Sequence, residues 1–210
     1  MSLLGKYDLF IFDWDGTLST STLLVRLSRF LRPGYNIDYA VSHISKYTPG
    51  SLNMKYLMHE EKGSAAYARF YDFYSILFSP KLKADTLEML GKLKRSGKKL
   101  AIFSDSNNYR LMSEMRKLGA ISYMDTAIAA NSIHRYKPDP TGILMIIKKH
   151  RIKKSRCIYI GDMASDILTA RLAGISSCCV ADGFGRYEEL KRGRPSYLFS
   201  SLSSLSNALV

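Results

Sequence analysis

Six short apolar runs recur along the chain: Leu9–Phe12, Leu100–Phe103, Ala127–Ala130, Cys157–Ile160, Ser177–Val180 and Tyr197–Phe199. A strand covered on one face alternates apolar and polar residues. A run that is apolar throughout needs cover on both faces, which is the setting of a parallel sheet. Helical spacing fills the intervals. Leu87, Leu90 and Leu93 precede the second run, and Leu111, Met115 and Leu118 end at Gly119. Ile143, Leu144, Ile146 and Ile147 follow Thr141, read as an N-cap, while Ile167, Leu168, Ala170 and Leu172 end at Gly174, read as a C-cap. Strands alternating with helices in this way predict an α/β fold with a doubly wound, Rossmann-like parallel sheet.

Residues 19–79 break the alternation. They show no convincing strand but carry two helical stripes, one of Leu23, Leu24, Leu27, Phe30 and Leu31 and one of Tyr67, Phe70, Tyr71 and Tyr74. We therefore expect a catalytic core of 1–18 and 80–210, with 19–79 inserted after the first strand as a small helical cap. A chain of 210 residues accommodates that arrangement.

Other classes are excluded by what the chain lacks. No apolar run approaches the ~20 residues that cross a bilayer, and Leu9–Phe12 is too short and too close to Asp13 for a signal peptide. No membrane partner is expected, and a cytoplasmic setting is. Cys157, Cys178 and Cys179 have no metal-ligand spacing and read as buried, reduced thiols. The net charge of +13 raises the question of nucleic acid. Its densest run, Lys148 to Arg156, reads instead as a helix end and the loop into the next strand. Cations there suit the negative end of a helix dipole and lie opposite the carboxyl ends of the strands. The pattern argues against a nucleic-acid partner.

Open α/β sheets bind ligands beyond the carboxyl ends of their strands. Past the first run come Asp13, Trp14, Asp15, Gly16 and Thr17; past the second, Ser104, Asp105 and Ser106. Lys137 lies downstream of the third, and Asp162 and Asp166 follow the fourth. Acids crowded on one edge repel one another without a cation, and hard oxygen ligands suit Mg²⁺. Asp13 is the candidate nucleophile, and Asp15 can protonate a leaving oxygen and then activate water. Lys137 supplies positive charge, Ser104 a hydroxyl donor, and the backbone around Gly16, Thr17 and Ser104 a phosphate cradle. Asp105 reads equally as an acid beside that cradle or as a loop cap. The kit suits phosphoryl transfer, which asks mainly for positioning and charge stabilisation.

These residues resemble the haloacid dehalogenase-like hydrolase superfamily. Asp-Trp-Asp-Gly-Thr-Leu at 13–18 is similar to its first motif, Ser104 to its second, Lys137 in Lys-Pro-Asp-Pro to its third, and Gly161-Asp162 with Asp166 to its fourth. The likeness is greatest to the phosphoglycolate phosphatase-like branch. It implies a helical cap between the first and second motifs. It also implies Mg²⁺ held by Asp13, the main-chain carbonyl of Asp15 and Asp162, with Asp166 acting directly or through water. The expected substrate is a small phosphomonoester, with Lys46 in the cap meeting its second anionic group. Sugar phosphates, pyrophosphate, nucleotides or polynucleotide ends are the alternatives, as is a non-catalytic interaction protein on the same scaffold.

Overall fold

The computed structural model describes residues 2–20 and 80–209. Residues 21–79, and with them Lys46 and nearly all of the expected cap, lie outside the described residues. The strands are β1 (Leu9–Phe12), β2 (Ser19–Thr20), β3 (Lys81–Leu82), β4 (Lys99–Ser104), β5 (Thr126–Ala129), β6 (Cys157–Gly161), β7 (Ser176–Val180) and β8 (Tyr197–Phe199). Six of them form one sheet in the order β5-β4-β1-β6-β7-β8, and every neighbouring pair is parallel. The doubly wound architecture expected from the apolar runs is the observed one.

Period-two alternation sends the strand side chains to two helical layers. Phe10, Phe12, Leu100, Ile102, Ile158 and Ile160 share one core with helices Thr86–Arg95, Asn108–Lys117 and Leu202–Asn207. Leu9, Ile11, Ala101, Phe103, Cys157 and Tyr159 share the other with helices Thr141–His150 and Ala164–Ala173. Both sets are buried, which is why these strands read as continuous apolar runs. The three cysteines are free and buried, as their apolar setting predicts.

Local signals differ from expectation at a few places. Thr141 is the first helical residue rather than the cap; the Asp139 carboxylate accepts from its backbone amide at 2.8 Å. Ala130, read as the end of a strand, instead begins a one-turn helix, Ala130–Ile133. Gly174 does close its helix, at φ 74°. The Lys148–Arg156 run ends helix Thr141–His150 and leads into β6. Arg156 pairs with Asp8 at 2.7 Å, beneath the start of β1 and away from the strands' carboxyl ends.

Two features of the topology position the site. The chain runs from β1 outward through β4 to β5, then returns to β6 on the other side of β1. This reversal marks the edge above β1 and its neighbours as the place where open α/β sheets bind ligands. Register aligns the edge: Phe12 lies opposite Ile102 and Ile160, so Asp13 and Asp162, just past β1 and β6, come level with Ser104 at the end of β4. Second, β2 and β3 pair antiparallel, Ser19 with Leu82 and Thr20 with Lys81, so the chain leaves for residue 21 and returns at residue 80 side by side.

Among the described residues no helix is long and apolar enough to cross a membrane.

The helix Thr141–His150 lies so close to β4 that a Cβ at Gly142 would run into the buried ring of Phe103. Alanine normally favours a helix over glycine, but here the collision dominates. Gly142→Ala is expected to destabilise the fold by about 1–3 kcal/mol, as overpacked cores do. A urea titration giving equal or greater stability for the variant would contradict this packing.

Candidate active site

The site begins with the five residues after β1. The Asp13 amide still donates to Ile160 O at 2.8 Å, so the first acid stands on the last rung of the sheet. Trp14 points the other way, into the core, fully buried, and its indole Nε1 donates to Glu114 at 2.6 Å. Asp15 then turns back to the edge. Gly16 permits the turn with φ at +84°, and a Cβ there would strike the Asp162 carboxylate and the Phe184 ring. The backbone of Thr17, Leu18 and Ser19 folds onto Trp14 O, and Gly16 N donates to Ser19 O at 2.9 Å.

Lys137 occupies the centre of the arrangement. Its Nζ lies 2.9 Å from Asp13 Oδ1 and 2.8 Å from Asp166 Oδ1, and all three side chains are nearly inaccessible. The lysine's own backbone is tethered, its amide donating to Asp105 Oδ1 at 2.9 Å. Asp105 is thus exposed and holds the Lys137 loop, a role between the two open readings. Asp166 also closes the start of helix Ala164–Ala173, its Oδ2 accepting from the amides of Asp162 at 3.1 Å and Met163 at 2.9 Å. It is a helix cap and an acid of the cluster together.

Asp162 is completely buried. Its Oδ1 accepts from Thr17 Oγ1 at 2.8 Å and its Oδ2 from the Phe184 amide at 2.7 Å. The Thr17 hydroxyl is therefore engaged with a carboxylate, while the cradle expected at Gly16 and Thr17 is one of backbone groups. Ser104, also buried, lies with Oγ 3.0 Å from Ser106 Oγ at the end of β4.

Burial pushes the Asp13 carboxyl up to about 8; Lys137 pulls it down, while Asp166, Asp162 and Asp15 push it further up. For Lys137, burial favours the neutral amine, but Asp13 and Asp166 prevail and hold it well above the usual lysine range. The two shifts describe one arrangement: an ammonium fixed among more negative charge than it can neutralise. Asp13, Asp162 and Asp166 each offer a carboxylate oxygen, and those oxygens lie within 4.8 Å of one another. An all-oxygen, anionic donor set of this kind suits a hard divalent cation.

Sequence reasoning missed a second cluster. Arg110 reaches both oxygens of Asp15, with Nη1 at 2.9 Å from Oδ1 and Nη2 against Oδ2. Ser106 Oγ donates to the same Oδ2 at 2.7 Å, and Arg110 Nη1 also reaches Glu114 at 3.2 Å. Arg110 and Glu114 are four apart on helix Asn108–Lys117, the interval that stacks side chains on one helical face, and Ser106 lies just ahead of its N-cap Asn107. That spacing was the available signal, but Arg and Glu on an amphipathic helix read first as a solvated pair. Among the expected site residues, Asp13, Asp15, Gly16, Thr17, Ser104, Asp105, Lys137, Asp162 and Asp166 gather at this edge; Lys46 lies outside the described residues.

Comparison with known proteins places this geometry in context. A family model described as haloacid dehalogenase-like hydrolase matches residues 10–180. The phosphoglycolate phosphatase of Vibrio vulnificus is 26% identical over 223 aligned residues, covering 96% of this chain and 96% of its own. A Caldanaerobacter subterraneus protein named as a pyrophosphatase is 23% identical, over 93% of this chain and 91% of its own. Among solved structures, a Bacteroides fragilis protein described as a haloacid dehalogenase-like hydrolase superposes with a TM-score of 0.68 at 25% identity, over 95% of this chain and 100% of its own.

A carboxyl group raised to about 8 is protonated below that pH, and only its anion ligates a cation. Divalent-cation binding to the metal-free protein should therefore release a proton from Asp13. Apparent affinity should rise by up to about tenfold per pH unit between pH 6 and 8, then level off. Calorimetry in buffers of different ionisation enthalpy reads the proton directly; a pH-independent affinity over that range would contradict the buried, protonated state.

Proposed function

Because the chain belongs to the haloacid dehalogenase-like hydrolase family, we propose that it is a Mg²⁺-dependent phosphatase of small phosphomonoesters with Asp13 as nucleophile. The observation that carries this reading is the buried Asp13–Lys137–Asp166 chain beside Asp162. A structural ion pair needs one cation and one anion, whereas this cluster holds more carboxylates than its lysine offsets.

Asp13, Asp162 and Asp166 are the side chains that would hold Mg²⁺, together with the main-chain carbonyl of Asp15. The ion supplies charge that reduces the repulsion between a carboxylate and a phosphate. An oxygen of Asp13 forms a bond to phosphorus as the ester P–O bond breaks, and the leaving oxygen takes a proton from Asp15. Water then attacks the phosphorus of the aspartyl-phosphate, giving its proton to Asp15, and inorganic phosphate leaves with the Asp13 carboxylate restored. Lys137 and the Ser104 hydroxyl stabilise the phosphoryl oxygens throughout.

The substrate reading follows the Vibrio relative, named a phosphoglycolate phosphatase at 26% identity. A small carboxylated phosphomonoester is the proposed substrate, with Lys46 of the 19–79 cap meeting its carboxylate. Pyrophosphate is the second reading, favoured by the relative named as a pyrophosphatase.

Asp13→Asn should lower kcat by on the order of 10⁴-fold or more, since an amide does not attack phosphorus. Wild-type protein quenched in acid during turnover should carry hydroxylamine-labile phosphate, and excess chelator should abolish turnover. Undiminished turnover in Asp13→Asn sinks the mechanism. A panel of phosphoglycolate, pyrophosphate, nucleotides and p-nitrophenyl phosphate separates the substrate readings. Phosphoglycolate should give the highest kcat/KM, and Lys46→Ala should lower that value while sparing the aryl phosphate.

A further inference from the structure

The geometry points to Arg110 as a positioning residue for Asp15, held in turn by Glu114 and Trp14. This inference rests on Asp15 being the group that exchanges protons with the leaving oxygen and with water. Its guanidinium reaches Asp15, Ser106 and Glu114. It acts through Asp15.

Three observations support that role over a purely structural one. Arg110 would be neutralised by Glu114 alone, four residues on in the same helix and 3.2 Å away. Instead its guanidinium spans both oxygens of Asp15, a fork that fixes the plane of a carboxylate as a single donor does not. Ser106 adds a third donor, at 2.7 Å from Asp15 Oδ2, and its hydroxyl also lies 3.0 Å from that of Ser104. The orientation of Asp15 is therefore tied to the hydroxyl at the end of β4.

The network closes on itself. Trp14 stands between Asp13 and Asp15 in the chain, and its indole donates to the same Glu114 that accepts from Arg110. All of these side chains are buried, with Glu114 at 1%, Arg110 at 8% and Asp15 at 5% exposed. Turn 13–17 and helix Asn108–Lys117 are tied together by the Arg110 guanidinium and by the Trp14 indole. A proton donor is useful only within hydrogen-bond reach of its acceptor, so freedom at Asp15 lowers the rate of proton transfer before anything else.

Leaving-group dependence tests this, because a residue that merely supports the fold slows all substrates alike. Single-turnover formation of the aspartyl-phosphate is measured with an alkyl phosphate, whose leaving oxygen needs a proton, and with p-nitrophenyl phosphate, which needs little help. Asp15→Asn sets the reference selectivity. Arg110→Lys keeps the charge that compensates the buried carboxylates but loses the fork. It should slow the alkyl substrate by about tenfold and the aryl substrate by less than about twofold. Arg110→Ala should show a larger loss of the same kind, recovered in part by added guanidinium ion. Near-UV circular dichroism checks the fold, and Arg110→Lys carries the test if Arg110→Ala does not fold. Equal loss on both substrates, or none, in the Arg110 variants beside a selective Asp15→Asn overturns the role of Arg110 alone. A non-selective Asp15→Asn overturns the proton-transfer reading of Asp15, and the role of Arg110 with it.

Discussion

The ammonium of Lys137 between Asp13 and Asp166 is the contact on which the rest of the active edge depends. Taking a charged group out of water costs several kcal/mol after relaxation, and a carboxylate left alone there would simply stay protonated. The edge holds Asp13, Asp162 and Asp166 almost without solvent. It tolerates them because each has dedicated partners: the lysine, two backbone amides at the start of a helix, a threonine hydroxyl and the Phe184 amide. These partners come from four segments remote in sequence, following β1, β5, β6 and β7, and the shared parallel sheet brings them to one edge.

Among the described residues, two cations with different chemistry serve this edge. A lysine presents a compact charge that can touch separate carboxylates; an arginine presents a planar fork that matches one carboxylate well. Lys137 stands where charge must be shared among acids, and Arg110 stands where a single acid must keep one orientation. Trp14 keeps the two halves distinct. With its ring in the core, the acids on either side of it are carried to different neighbours, one to lysine and one to arginine.

Much of this was legible in the sequence, for a physical reason. Strands buried on both faces leave a dense apolar signature, and Leu9–Phe12 appears with the bounds read from it; the half-buried edge strand Tyr197–Phe199 was found by the same apolar run. Strand ends were less legible: Lys99 and Ser104 belong to β4, but their polar side chains hide that they continue its ladder. β2 and β3 are too short to show any period. Asp13 and Asp162 were readable because polar residues placed directly after buried strands have few bland explanations, whereas Lys137, eight residues beyond β5, was readable only through Lys-Pro-Asp-Pro. Arg110 and Glu114 were not, since charged residues on an amphipathic helix usually face water. Only the packing of helix Asn108–Lys117 against the turn after β1 turns that pair inward.

The pairing of Thr20 with Lys81 bears on how such a chain diversifies. Lys83 N donates to Leu18 O at 2.9 Å and the Thr86 hydroxyl to the same carbonyl at 3.1 Å, so the core fastens both ends of the excursion by itself. A segment whose two ends are neighbours imposes no span on its host. Its length and sequence are then open to replacement at little cost to the sheet. The acidic edge and the residues 21–79 can then change on separate schedules, because replacing the segment between Thr20 and Lys81 leaves the hydrogen bonds at its two ends in place.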